Sequence, residues 1–343
     1  MIRHTDDGCV VALDAFGTQD KYIQESGDAY FDPCGALTRW TKSISLYRKL
    51  DYKISGHVWK QQQHAVWKFS IEPTCTFVNE LDVVFRDPAV TKAVIAFETE
   101  VGGQRIDRIG SPDGSHEDFL TELTATCAML GAPLPTAESL PVCMAPFYRF
   151  NAMAKSLFET DELTISIHFS FELSPSAPDM SLMGVCHFLD TVHPLHDRRH
   201  LVFNTVQHQL VRSPEDENSL KVSLNCLNHP VYALLFWGHD PDADYRVSLT
   251  LTSADLFVEP IPIGALRRRA RSKGVVLERG VDVILFAHDH DFSKRPNGLI
   301  NFSRINEAEL VLLDGPECAK LRVVALNAQT VHIMNGMCGI VFR

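Results

Sequence analysis

Asn301-Phe302-Ser303-Arg304-Ile305-Asn306 is followed by an apolar, valine-rich stretch from Leu321 to Leu326. Then comes Val331-His332-Ile333-Met334-Asn335-Gly336-Met337-Cys338-Gly339-Ile340. A strand entered through a polar turn, a second strand, and an end broken by glycine are the ingredients of the last hairpin of an antiparallel sandwich. Asn301 and Ser303 are expected to cap backbone groups as the chain enters the strand. Nothing in this stretch is arranged to do chemistry.

The same pattern recurs upstream. Strand-like segments run Ile44 to Tyr47, Val66 to Ile71, Leu81 to Phe85 and Ala93 to Phe97. The clearest spans Leu163 to Leu173, where Ile165, Ile167, Phe169 and Phe171 alternate with polar residues as in a half-buried antiparallel strand. In the second half the segments are Leu201 to Val211, Leu220 to Leu224, Val231 to Trp237, Val247 to Leu251, Val281 to Phe286, Glu309 to Leu313, Leu321 to Leu326 and Val331 to Met334. Short strands at this density indicate a sandwich or barrel. One helix is expected after Ser115-His116-Glu117-Asp118, an N-cap with an acid three residues on, followed by Phe119, Leu120, Leu123 and Cys127 at helical spacing.

With 343 residues, the chain exceeds what one core usually fills. The Pro/Ser-rich stretch Leu173 to Asp179 suits a linker. The expected organisation is an arm over 1–35, a first domain over 36–175 and a second over 182–343. Hydrophobic content of 45% with 22% charged residues is ordinary for a globular protein and argues against a disordered chain. A net charge of −11 argues against coating nucleic acid, which needs a basic surface. No apolar run reaches the ~18–20 residues of a membrane helix. Nine cysteines stand far apart without a Cys-x-x-Cys spacing, as free thiols do in a reducing compartment. The N-terminal residues lack the apolar core of a signal peptide, so a soluble protein made in cytoplasm is expected.

Candidate chemistry is sparse. His288-Asp289-His290 and His193, His196 and His200 superficially offer metal ligands; the His288/His290 pair would share one strand face, but Asp289 would point away and no third ligand can be assigned to that pair. Glu98, Glu100, Asp107, Glu117 and Asp118 could supply an acid/base pair only if two of them faced each other. Neither Gly-x-Ser-x-Gly nor a phosphate-cradling loop is present. No catalytic, cofactor or metal residues are therefore assigned. The basic run Arg267, Arg268, Arg269, Arg271 and Lys273 reads as a loop, and as a candidate assembly contact with an acidic neighbour.

Several short motifs, taken in order, resemble the double jelly-roll major capsid proteins of large nucleocytoplasmic DNA viruses, of the chlorovirus and iridovirus type. These are Phe16 to Ile23; Glu100-Val101-Gly102-Gly103-Gln104-Arg105-Ile106-Asp107; Leu189-Asp190-Thr191 with Asp197-Arg198-Arg199; and Leu227-Asn228-His229-Pro230-Val231. Asn301-Phe302-Ser303-Arg304 and Gly336-Met337-Cys338-Gly339 end the set. Paired glycines at 102 and 103 suit a sheet corner. Departures are Ser111-Pro112-Asp113-Gly114 after the first motif, a His-rich insert at Val192 to His196, and short loops.

The resemblance implies an all-β chain of two tandem eight-stranded antiparallel jelly rolls, with an N-terminal arm and a short helix in the first. It implies a structural, non-enzymatic capsid protein of the virion without a cofactor. Its partners would be two further copies in a pseudo-hexagonal trimer, neighbouring capsomers and minor capsid proteins, not nucleic acid or a membrane. A minor, penton-associated or scaffold protein of the same fold is the alternative within that family. A jelly-roll carbohydrate-binding module or glycosidase is the alternative outside it, although Trp40, Trp59, Trp67 and Trp237 are scattered rather than gathered on one face.

Overall fold

A computed structural model describes residues 44–49, 52–59, 64–71, 77–101, 103–111, 113–142, 163–170, 180–188, 200–211, 221–252, 256–287, 298–314, 321–334 and 337–340. The first half contains strands β1 (Ile44–Lys49), β2 (Tyr52–Trp59), β3 (His64–Ile71) and β4 (Phe77–Phe85), then a short helix α1 (Pro88–Thr91). It continues through β5 (Val94–Val101), β6 (Gln104–Gly110), helix α2 (His116–Leu130), β7 (Ser139–Pro141), β8 (Leu163–Phe169) and β9 (Met180–Phe188). The second half contains β10 (His200–Val211), β11 (Lys221–Ser223), β12 (Pro230–Trp237), β13 (Arg246–Leu251), β14 (Leu256–Pro262) and helix α3 (Ile263–Ser272). After it come β15 (Val281–Leu285), β16 (Ile300–Asn301), a 3-10 turn (Phe302–Arg304), β17 (Ala308–Leu313), β18 (Arg322–Met334) and β19 (Met337–Ile340).

The described residues divide into two compact units, 44–205 with 330–340, and 206–287 with 298–329. The first unit is a pair of sheets ordered β1-β9-β4-β7 and β2-β3-β8-β5-β6. The second sheet pair is ordered β10-β18-β12-β15 and β11-β17-β13-β14, with β16 on β12 and β19 on β18. The registers that define these pairings are antiparallel. β9 runs through position 182 and pairs with β1 and β4, so it completes the first sheet pair.

Both halves use one wiring rule. In each, the opening strand (β1 or β10) lies beside the closing strand (β9 or β18), and the next neighbours are β4 then β7, or β12 then β15. The opposite sheets read β3-β8-β5-β6 and β11-β17-β13-β14. That is jelly-roll winding, in which non-consecutive strands pair through crossovers between two sheets. Each half also inserts one helix into the same connection: α2 between β6 and β7, and α3 between β14 and β15.

Helix α2 begins where Ser115 accepts the Asp118 amide while Asp118 reaches back to the Ser115 amide, a capping box that satisfies two orphan donors. It ends at Gly131, which adopts φ +67, a conformation costly to residues with a Cβ. Phe119, Leu123, Cys127 and Leu130 face inward, and the Phe119 ring packs edge-on to Phe97 at 5.1 Å. Full burial of such a phenylalanine contributes roughly 2–3 kcal/mol. The second core gathers Phe236, Tyr245, Leu249, Phe302, Leu310 and Val323 between its sheets.

Candidate functional site

The basic run is not a loop. Residues 263–272 form α3, and its inward stripe is Ile263, Leu266 and Ala270, a spacing of three and four that fits one helical face. The five arginines and lysines are thereby sorted. Arg268, Arg269 and Arg271 are exposed. Lys273 donates to the Ala287 carbonyl at 2.6 Å. Arg267 points toward β15 and clamps Asp282, with Nε donating to Oδ1 at 2.7 Å and Nη2 to Oδ2 at 2.9 Å. Of the five charges, Arg267 is neutralised by the Asp282 carboxylate, and those of Arg268, Arg269 and Arg271 face solvent, which screens their mutual repulsion.

Asp282 is 3% exposed on an otherwise apolar strand. The Tyr245 hydroxyl donates to its Oδ2 at 3.0 Å, and His239 Nε2 lies 2.9 Å from the same oxygen. Burial alone would push this carboxyl up; hydrogen bonds from His239, Arg267 and Tyr245, with the guanidinium charge, bring it down to about 2. The same hydrogen bond pushes the Arg267 pKa up. The His239 ring meets Tyr245 edge-on and Phe236 at a tilt, at 5.1 and 5.8 Å between centroids. Asp282 is thus an ion-pair anchor for α3, already occupied and poorly placed to accept a substrate proton. A signal for it was in the sequence: an acid inside Val281-Asp282-Val283-Ile284-Leu285 must be paired if it is buried.

The first unit has a corresponding polar cluster. Glu98 on β5 meets Arg108 at 3.1 Å, Arg105 at 3.5 Å and His168 Nε2 at 3.1 Å. Burial raises the Glu98 carboxyl, but the His168 hydrogen bond and the Arg108 charge outweigh it and hold the pKa at about 2. Asp107 accepts the Arg108 amide at 2.8 Å, and Asp118 serves the α2 cap. Glu117 lies exposed in the first turn of α2, where an acid favours the helix dipole. Glu98, Asp107 and Asp118 are thus engaged in holding strands and the start of α2.

Two of the motifs come together. Pro230 pairs with Asn301 and Val231 with Ile300, and the Phe302 amide donates to the His229 carbonyl at 3.2 Å. Asn301 Oδ1 accepts from the Ser303 amide at 3.0 Å and its hydroxyl at 2.7 Å, while Phe302 is buried at 2% exposure. Asn301 thus caps a backbone amide as expected, whereas the Ser303 hydroxyl bonds the Asn301 side chain rather than a backbone group. Gln104, Arg105 and Asp107 lie on β6, entered through Gly103 at φ +77. Arg304 closes the 3-10 turn, and Met337 and Gly339 lie on β19. Gly102, Asp190 and Gly336 lie outside the described residues, as do His193, His196, His288 and His290. Among the described residues no three His, Cys, Asp or Glu side chains form a metal-ligand group, and no helix is long and apolar enough to cross a membrane.

No family model matches the chain, and no curated protein is similar to it in sequence. Its fold does have solved counterparts. A chain of the PBCV-1 virus capsid, in a quasi-atomic model, superposes with a TM-score of 0.64 at 17% identity, over 89% of this chain and 98% of that one. PBCV-1 VP54, as fitted into a reconstruction of the virophage Sputnik, gives 0.64 at 16% identity with the same shares. This chain has the double jelly-roll fold of those capsid proteins. The double jelly roll accounts for the repeated wiring and for the helix repeated between equivalent strands.

Proposed function

We propose that the chain is a structural capsid protein: three copies form a pseudo-hexagonal capsomer that tiles an icosahedral shell, as its major subunit. The observation that carries this reading is the double jelly roll, matched over 98% of a PBCV-1 capsid chain. A trimer of paired sandwiches presents six similar faces from one gene product, and closed threefold symmetry makes each subunit contact heterologous. Residues 1–35 then supply an arm, and the expected boundary between the two jelly rolls at 175–182 moves past β9, so that the second jelly roll opens with β10. The motif residues act as turns and corners, without catalysis, cofactor or nucleic-acid contact. The exposed Arg268 and Arg271 face an acidic neighbour, either another capsomer or a minor protein beneath the shell, with assembly in a host cytoplasm.

Native mass spectrometry of the purified protein tests this reading. The expected mass is near three times 38.4 kDa. A stable monomer across micromolar concentrations would overturn the capsomer. Copy number in purified particles separates the major subunit from a minor or penton-associated one.

A further inference from the structure

The second unit has a pocket of about 600 Å³ between β13, β14 and β15, beneath α3 and bounded by residues 298–300, that opens to solvent. Leu249, Leu251, Leu266, Leu285, Phe286 and Ile300 supply much of its wall. The one charged side chain on the wall is Arg269, which is exposed and has no carboxylate partner among the described residues. Protein interiors are packed with few voids larger than a water molecule. Ligand sites are clefts of ~300–1,000 Å³, mostly apolar, with a few polar groups fixing orientation, and this pocket falls in that range.

We propose that this cavity binds a single-chain anionic amphiphile, its hydrocarbon tail between the sheets and its head group paired with Arg269. The apolar wall selects the tail. The lone cation selects the head: an alcohol would leave it unpaired, and a cationic detergent would be repelled. Arg267 cannot substitute, because its guanidinium is committed to Asp282. The site belongs to one jelly roll and stands whether or not the chain forms capsomers.

The test is calorimetric titration of the full-length protein with laurate, myristate and palmitate below their micelle concentrations. A myristoyl lysophosphatidate arm distinguishes a free acid from a membrane-derived phosphate head. One site per chain is expected, with affinity rising about fourfold per added methylene and tetradecanol binding more weakly than myristate. Arg269→Glu, at an exposed position, is expected to weaken myristate about fivefold or more. Ile300→Trp, which fills part of the cavity, should abolish binding. Absence of binding up to the solubility limit, affinity independent of chain length, or unchanged affinity in the folded Arg269→Glu protein would each overturn the proposal.

Discussion

Gly110→Ala is the most informative single substitution. Gly110 ends β6 at φ +79, where an alanine costs about 1–2 kcal/mol. A Cβ there would lie 2.3 Å from the Ile95 carbonyl oxygen, 2.9 Å from Phe119 Cδ2 and 3.0 Å from Ala96 Cα. The first obstacle is backbone of β5, which is hydrogen-bonded on both sides within its sheet, so relief requires the strand to move, at about 1–3 kcal/mol. The Gly110 amide also donates to Glu122 Oε2 at 3.1 Å, and Glu122 is only 4% exposed. Disturbing that bond adds about 1 kcal/mol or more. The sum is about 3–6 kcal/mol against a typical stability of about 5–15 kcal/mol.

Two internal controls isolate the steric part. Gly103 at φ +77 and Gly131 at φ +67 share the left-handed backbone, but an added Cβ meets nothing within 4 Å at either. Gly103→Ala and Gly131→Ala should cost about 1–2 kcal/mol each. Urea unfolding, read by far-UV dichroism and by hydrogen exchange of peptides covering 94–110, gives the three values on one scale. If Gly110→Ala destabilises no more than Gly131→Ala, the close approach of β6 to β5 and α2 is wrong.

Other outcomes follow from the charge clusters and thiols. Asp282 falls from an ordinary carboxylate value to about 2 on folding, so its contribution of roughly 2–3 kcal/mol is complete above about pH 4. It is lost as pH falls from about 4 to 2, and a pH series of melts should show a shallower acid slope in Asp282→Asn. Arg267→Met leaves a buried carboxylate short of its cation and should cost about 3–5 kcal/mol. Arg268→Ser and Arg271→Ser should stay within about 0.5 kcal/mol; equal melting temperatures for all three variants would contradict the sorting of the arginines. Cys226 is exposed and Cys127 buried, both free, so a thiol reagent should label Cys226 in the native protein and Cys127 only after unfolding. Native labelling of both at equal rates would place α2 on the surface.

The sequence by itself determined the class of the fold. Alternation in Ile165, Ile167 and Phe169 and in Val247, Leu249 and Leu251 specifies strands, because a pleated chain shows alternate side chains to one face. Ser115, Asp118 and the apolar spacing after them specified α2, since a capping box and its helix are local. The Asn301 cap was legible for the same reason. What lay beyond local reading depended on partners distant in sequence. The run from Arg267 to Lys273 looked like a loop because charge masked the stripe Ile263, Leu266 and Ala270. Only the pairing of Arg267 with Asp282, 15 residues on, shows why a helix can carry that charge. Gly102 and Gly103 are a visible pair in the sequence, whereas among the described glycines Gly110 is the crowded one. Its need for the smallest residue comes from β5 and α2 approaching it in space, a constraint that tertiary packing imposes and no neighbour in the sequence records.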